Sequence, residues 1–395
     1  PPPPPPPPPR DSIRRQRQMC IRDSGKAFWF STNNGDFQTS RYYYDDYPAW
    51  VAQWNAERRA EDYAGTTWDL LLEPANYLLA GRDDRPYEVD LRGYGRTFPH
   101  AYGEAAHPLF ATRLMVSPAG DKLLKEFAVA LMAAEQLGQD DVTDYLSVSF
   151  SGVDAVNHFF GVASLENEDV VLQLDRTLAE LLKHVDKTVG LRHTVVVLSA
   201  DHGMAEMPEY MAELGYPAGR LYSEDVEALA DALGQALYGI DEISRDFFRP
   251  SLYLDHARIE AAGLDPDEVA VEMAVALGAD ERIGMAHATV DLLSREYSGV
   301  ALQMQRNAHR ERSGDIYIAQ SPYWFMFEKG PIGAMHGSPW QYDTHVPVIF
   351  LGNGLKSGRV GRRVLTVDVA PTLSHLLGLP LPAGAEGSPL LEVIR

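Results

Sequence analysis

Cysteine is nearly absent: the single one in 395 residues is Cys20. Disulfides and thiolate metal sites are thereby excluded from everything downstream of it. The compartment stays open, because exported and cytosolic proteins alike can lack cysteine. Long apolar runs are missing too, and none reaches the roughly 18 residues that a membrane-spanning helix needs. The patterns GxSxG, GxxxxGK[ST] and GxGxxG do not occur, so the usual signatures of a serine hydrolase, a P-loop enzyme and a dinucleotide-dependent dehydrogenase are lacking. Basic charge is in short supply, with 35 Lys and Arg against 56 Asp and Glu and a net charge of −21.

Residues 1–24 open with nine prolines and continue as an Arg-rich string without period. They lack the apolar stretch of a signal peptide. They resemble translated adaptor sequence, and the fold is read without them. That segment carries five Arg and two Asp, so the remaining 371 residues carry −24. Such a charge argues against nucleic acid or an anionic membrane as a surface partner. It does not argue against a phosphorylated small molecule, because bound cations invert the field locally.

Two stretches alternate helix and strand signals. Ser117-Pro118 is a helix start, followed by helical spacing over 122–138. Residues 145–150 (YLSVSF) alternate as a strand does. A second helix is predicted over 166–190, from Val171, Leu174, Leu178, Leu181, Leu182 and Val185. Residues 194–198 (TVVVL) form an apolar strand of the kind covered on both faces. Near the end, 346–351 (VPVIFL) is another such strand, and 367–377 reads as a helix. This order predicts an α/β fold with a mostly parallel central sheet and helices on both faces. Core segments are expected at 116–204 and 331–395. Residues 25–115 and 205–330 read as inserted caps, the latter with surface helices over 224–237 and 266–277 and a short strand over 315–318.

Three polar constellations stand at predicted strand ends, where open α/β sheets bind ligands. After 145–150 come Asp154 and His158, four apart, which share one face if a helical turn begins there. After 194–198 come Asp201, His202 and Gly203. A carboxylate and an imidazole ending a buried strand need a partner. Before 346–351 come His336, Gly337 and Ser338, then Tyr342, Asp343, Thr344 and His345. Either His336 or His345 suits a metal, and His345 is read as structural. Alone, the first is more often a salt bridge or a capped helix, the second is as readily a polar turn with a capping Asp, and a lone histidine such as the third offers is more often structural. An acid with imidazoles suits a borderline cation such as zinc.

Together, GKAFWF (25–30), SFSGVDAVNHFFG (149–161), LSADHGM (198–204), AMHGSPWQYDTHVPVIFLG (334–352) and TVDVAPTLSHLLGLPLP (366–382) resemble the alkaline phosphatase superfamily. The branch is that of type I phosphodiesterases and nucleotide pyrophosphatases, closest to the PafA-type bacterial alkaline phosphatases. The resemblance implies an alkaline-phosphatase-like fold and metal-dependent hydrolysis of phosphate monoesters through a phospho-enzyme. It implies that Asp154, His158 and His336 hold one Zn2+ and that Asp201 and His202 contribute to a second. It implies a periplasmic or extracellular location. The family's remaining aspartate, its nucleophilic Thr or Ser, and its phosphate-contacting Lys and Arg correspond to positions upstream of GKAFWF. No catalytic residue is therefore assigned, and the chain as written is expected to be inactive or nearly so. A phosphodiesterase of the same superfamily and a non-catalytic metal- or phosphate-binding protein are the alternatives.

Overall fold

The structure is a computed structural model and describes residues 26–394; the reading of residues 1–24 lies outside them. The chain divides into two compact units. One comprises residues 26–84, Asp90–Val156 and Leu165–Val189, and the other Arg85–Val89, Asn157–Ser164 and the chain from Gly190 onward.

In the first unit, the helix Pro118–Ala134 begins as the sequence predicts. Ser117 caps it by accepting from the Ala119 amide, and Pro118 occupies the first turn. Phe127 of this helix stacks on Phe37 at 3.9 Å between ring centres and anchors an aromatic cluster with Val51 and Trp54. The second predicted helix runs Leu165–Thr188. The apolar stripe that marks it in the sequence is not its deepest face, since Val171 is 47% exposed. Its fully buried positions include Glu166, Asp169, Gln173 and Thr177.

That polar face organises irregular backbone. Asp169 accepts from the Trp68 indole (2.6 Å), the Leu71 amide (2.8 Å), the Tyr77 hydroxyl (2.6 Å) and Gln173 (2.7 Å). Glu168 accepts from the Leu78 and Leu79 amides. Glu166 lies 3.1 Å from the ring of His100, both fully buried. Burial raises the Glu166 carboxyl to about 8 and lowers His100 to about 4, so both are neutral near pH 7. A folded-state carboxyl held above its unfolded value of 4.5 contributes stability at low pH that is lost as pH climbs toward 8. The melting temperature should fall between pH 6 and pH 8, and Glu166→Gln should flatten that slope. An unchanged slope in the variant would place its origin elsewhere.

The second unit holds a four-stranded antiparallel sheet in the order Ser244–Phe248, Ser251–Leu254, Ile316–Gln320, Ile283–Ala288. Helices Ser223–Tyr238 and Pro266–Leu277 cover it. They are more than surface helices. Val226, Ala230, Val269, Met273 and Leu277 join Leu252 and Ile316 in a buried cluster.

The α/β class holds, but parallel pairing is narrower than expected. Among the described strands it joins Gly219–Tyr222 to Trp324–Phe327. The two apolar strands Val195–Ser199 and Val348–Gly352 pair antiparallel, and residues 145–150 are assigned to no strand. Alternation specifies which way side chains face. Pairing depends on which backbone lies alongside, and that is not written in the strand itself. Nor are the two apolar strands buried on both faces: Leu198 is 41% exposed and Ile349 51%.

Candidate metal centre

Asp154 and His158 lie on the helix Gly152–Phe160, one turn apart, as their spacing requires. Both residues belong to this one continuous helix, which fixes their spacing. Its first amide, at Gly152, donates to Asp121 (3.1 Å). A side chain at Gly152 would collide with that carboxylate. Burial raises Asp121 to about 7. Asp121 was not singled out in the sequence, where it reads as an ordinary first-turn acid of the preceding helix.

At the helix end, His158 Nδ1 lies 2.9 Å from the Ala334 carbonyl. A carbonyl can only accept, so Nδ1 carries the proton and Nε2 carries the lone pair that a cation would need. The same holds for His202, whose Nδ1 lies 2.8 Å from the Gly203 carbonyl. Its Nε2 lies 3.6 Å from the Asp201 carboxylate.

The His336 loop is pinned to the Asp201–Gly203 turn. The Gly203 amide donates to the Asp343 carbonyl (2.7 Å), and any Cβ on Gly203 would run into the Tyr342 carbonyl. Asp343 in turn accepts from the amide and hydroxyl of Ser338 at 2.7 and 2.6 Å. These bonds explain why glycine follows His202 and why Asp343 follows Tyr342. The sequence showed the residues but not their roles.

Three imidazoles meet here. His202 and His336 stack at 3.4 Å between ring centres, 9° from parallel, and His158 lies 5.1 Å from His336. One ligand atom each of Asp154, His158 and His336 falls within 4.8 Å of the others. A carboxylate oxygen and two imidazole nitrogens so grouped fit zinc by donor type and number. No second group of three His, Cys, Asp or Glu meets that spacing among the described residues. Asp201 and His202 stand as a pair, and the Asp201 side chain is 84% exposed. His345 is exposed and outside the cluster.

A carboxylate–imidazole cluster of this kind on an α/β scaffold is what a metal-assisted phosphoric ester hydrolase requires. Residues 13–339 match the family model of type I phosphodiesterase / nucleotide pyrophosphatase, and the chain belongs to that family. Within it the resemblance is to PafA-like alkaline phosphatases. The chain is 32% identical over 372 residues to alkaline phosphatase PafA of Elizabethkingia meningoseptica, covering 93% of this chain and 67% of that one. It is 30% identical over 386 residues to alkaline phosphatase PhoV of Synechococcus elongatus, covering 93% and 66%. A protein of Myroides odoratus named a calcium-transporting ATPase is 32% identical over 379 residues, covering 93% and 68%. The crystal structure of wild-type PafA superposes with a TM-score of 0.83 at 30% identity, covering 93% of this chain and 70% of that one. The chain thus spans about two thirds of these relatives. No helix among its described residues is long and apolar enough to cross a membrane.

Proposed function

We propose that the chain carries most of the metal-holding apparatus of a zinc-dependent phosphate-monoester hydrolase. The observation behind this reading is the convergence of Asp154, His158 and His336. In it, these three residues hold one Zn2+, and Asp201 with His202 contributes to a second. When bound, such a pair of cations offsets charge building on phosphoryl oxygens and lowers the pKa of an attacking group. The chain's own residues perform the orienting work. The Ala334 carbonyl keeps the Nδ1 proton of His158 in place, and the Gly203 carbonyl does the same for His202. The Asp343 carboxylate and carbonyl hold the His336 loop against the Asp201–Gly203 turn. Export to the periplasm or cell exterior rests on the resemblance to PafA-type enzymes alone.

Monoesters are preferred over diesters in this reading because the named relatives of greatest coverage include two alkaline phosphatases. The family's own description favours a phosphodiesterase as the second reading. Relative affinity of the zinc-loaded chain for p-nitrophenyl phosphate and bis-p-nitrophenyl phosphate separates them. No nucleophile is assigned within these 395 residues, so the chain itself should bind zinc yet turn over p-nitrophenyl phosphate at background rate. Rapid monoester hydrolysis that disappears in His336→Ala would refute the missing nucleophile. An absence of zinc binding would refute the metal centre.

A further inference from the structure

The segment between the two metal-bearing regions meets the His336 loop at several points, the Tyr323 amide donating to the Tyr342 hydroxyl and the Trp340 indole to the Gln320 carbonyl, and one side chain reaches His336 itself. Arg249 follows the strand Ser244–Phe248. Its Nη2 donates to the His336 carbonyl at 2.6 Å, and its Nη1 to the Met326 carbonyl at 3.4 Å. Its guanidinium lies over the Phe327 ring, 5.5 Å from the centre. One planar cation therefore ties three separate pieces of chain together: the end of one strand, the strand Trp324–Phe327, and the loop carrying His336. Lysine could serve the His336 carbonyl but not fork to both carbonyls, because the guanidinium presents several donors in fixed directions and an ammonium does not.

The loop is shaped to receive it. Gly337 sits at φ +95°, a backbone conformation that side-chain-bearing residues rarely adopt. A Cβ there would lie 2.8 Å from Arg249 Nη2. Glycine at 337 thus serves both the turn and the approach of the guanidinium. On its other side the loop is held by Ser338 against Asp343. The peptide that determines where the His336 ring starts is accordingly clamped from two directions, one from within the loop and one from the inserted segment.

We infer that Arg249 is a positioning residue for His336, acting through the main-chain carbonyl of that histidine rather than on any substrate. The inference rests on the metal reading above. A cation site needs its ligands within about 0.5 Å of their working places. The His336 ring is wedged at 3.4 Å against His202 and 5.1 Å from His158, so a turn of its peptide carries the ligand nitrogen out of reach of Asp154 and His158. In this reading the segment read as an inserted cap also supports the metal site, through Arg249.

The test is a titration of the metal-free chain with Co2+, followed by visible absorption, which reports coordination geometry, alongside thermal melting without metal. Four proteins are compared: wild type, Arg249→Lys, Arg249→Met and His336→Ala. Arg249→Met should bind Co2+ about 10- to 100-fold more weakly, the range for loss of a group that orients a ligand. Its absorption spectrum should change, while its metal-free melting temperature moves by no more than about 4 °C. Arg249→Lys keeps one donor for the His336 carbonyl and should recover most of the affinity. If Arg249→Met binds as wild type while His336→Ala does not, the positioning role is wrong and the metal centre stands. If His336→Ala also binds as wild type, both fall together. If Arg249→Met and Arg249→Lys lose affinity and melting temperature alike, Arg249 is a structural residue and the role is overturned.

Discussion

Replacing His158 with alanine should cost the chain its tight metal binding, with zinc affinity falling on the order of 100-fold or more. Four-ligand structural zinc sites are worth roughly 10–16 kcal/mol in all, or about 3 kcal/mol per ligand, and 1.4 kcal/mol is a factor of ten. Within the three-residue cluster, His158 is the candidate ligand whose tautomer a main-chain contact defines. Its Nδ1 proton is committed to the Ala334 carbonyl at 2.9 Å, so Nε2 carries the lone pair that a cation would need. Calorimetric titration of wild type and His158→Ala with zinc measures the loss. His345→Ala is the matched control, because that histidine is exposed and outside the cluster. Equal affinity in wild type and His158→Ala, or a large loss in His345→Ala, would show that the wrong histidines have been chosen.

The second large effect is on stability and lies in the first unit. Asp169→Ala should destabilise the chain by about 3–5 kcal/mol. The carboxylate is fully buried and serves the Trp68 indole, the Leu71 amide and the Tyr77 hydroxyl. Alanine leaves those donors without an acceptor, at about 1–3 kcal/mol for each one that stays buried. Asp169→Asn keeps one carbonyl oxygen and should lose less. Urea denaturation monitored by tryptophan fluorescence reads both values directly. A loss under about 1 kcal/mol for alanine would mean that water or rearranged backbone replaces the carboxylate, and that residues 68–79 do not depend on it.

The candidate site was legible in the sequence to an uneven degree. Asp154 and His158 were readable because helical spacing alone puts them on one face. The joining of His336 to that pair was suggested by the resemblance and is a fact of geometry in the structure. Asp121, Arg249 and Asp343 carried no comparable signal. Each acts on a main-chain group: the Gly152 amide and the His336 carbonyl far along the chain, and the Ser338 amide within the same loop. A main-chain partner leaves no mark in residue type. Likewise, the apolar stripe of the Leu165–Thr188 helix revealed the helix and pointed to the wrong face, because periodicity records apolar residues and not satisfied acids.

The sequence by itself determined the longer helices, the apolar strands near 194–198 and 346–351, and the lack of cysteine downstream of Cys20. These follow from local periodicity, composition and short motifs, which need no knowledge of what lies alongside. Tertiary structure alone decided that the two apolar strands pair antiparallel, that Glu166 and Asp169 are buried, and that Arg249 reaches His336 across 87 positions. Strand partners, buried-acid acceptors and carbonyl clamps are set by how distant segments approach, and no single segment encodes that.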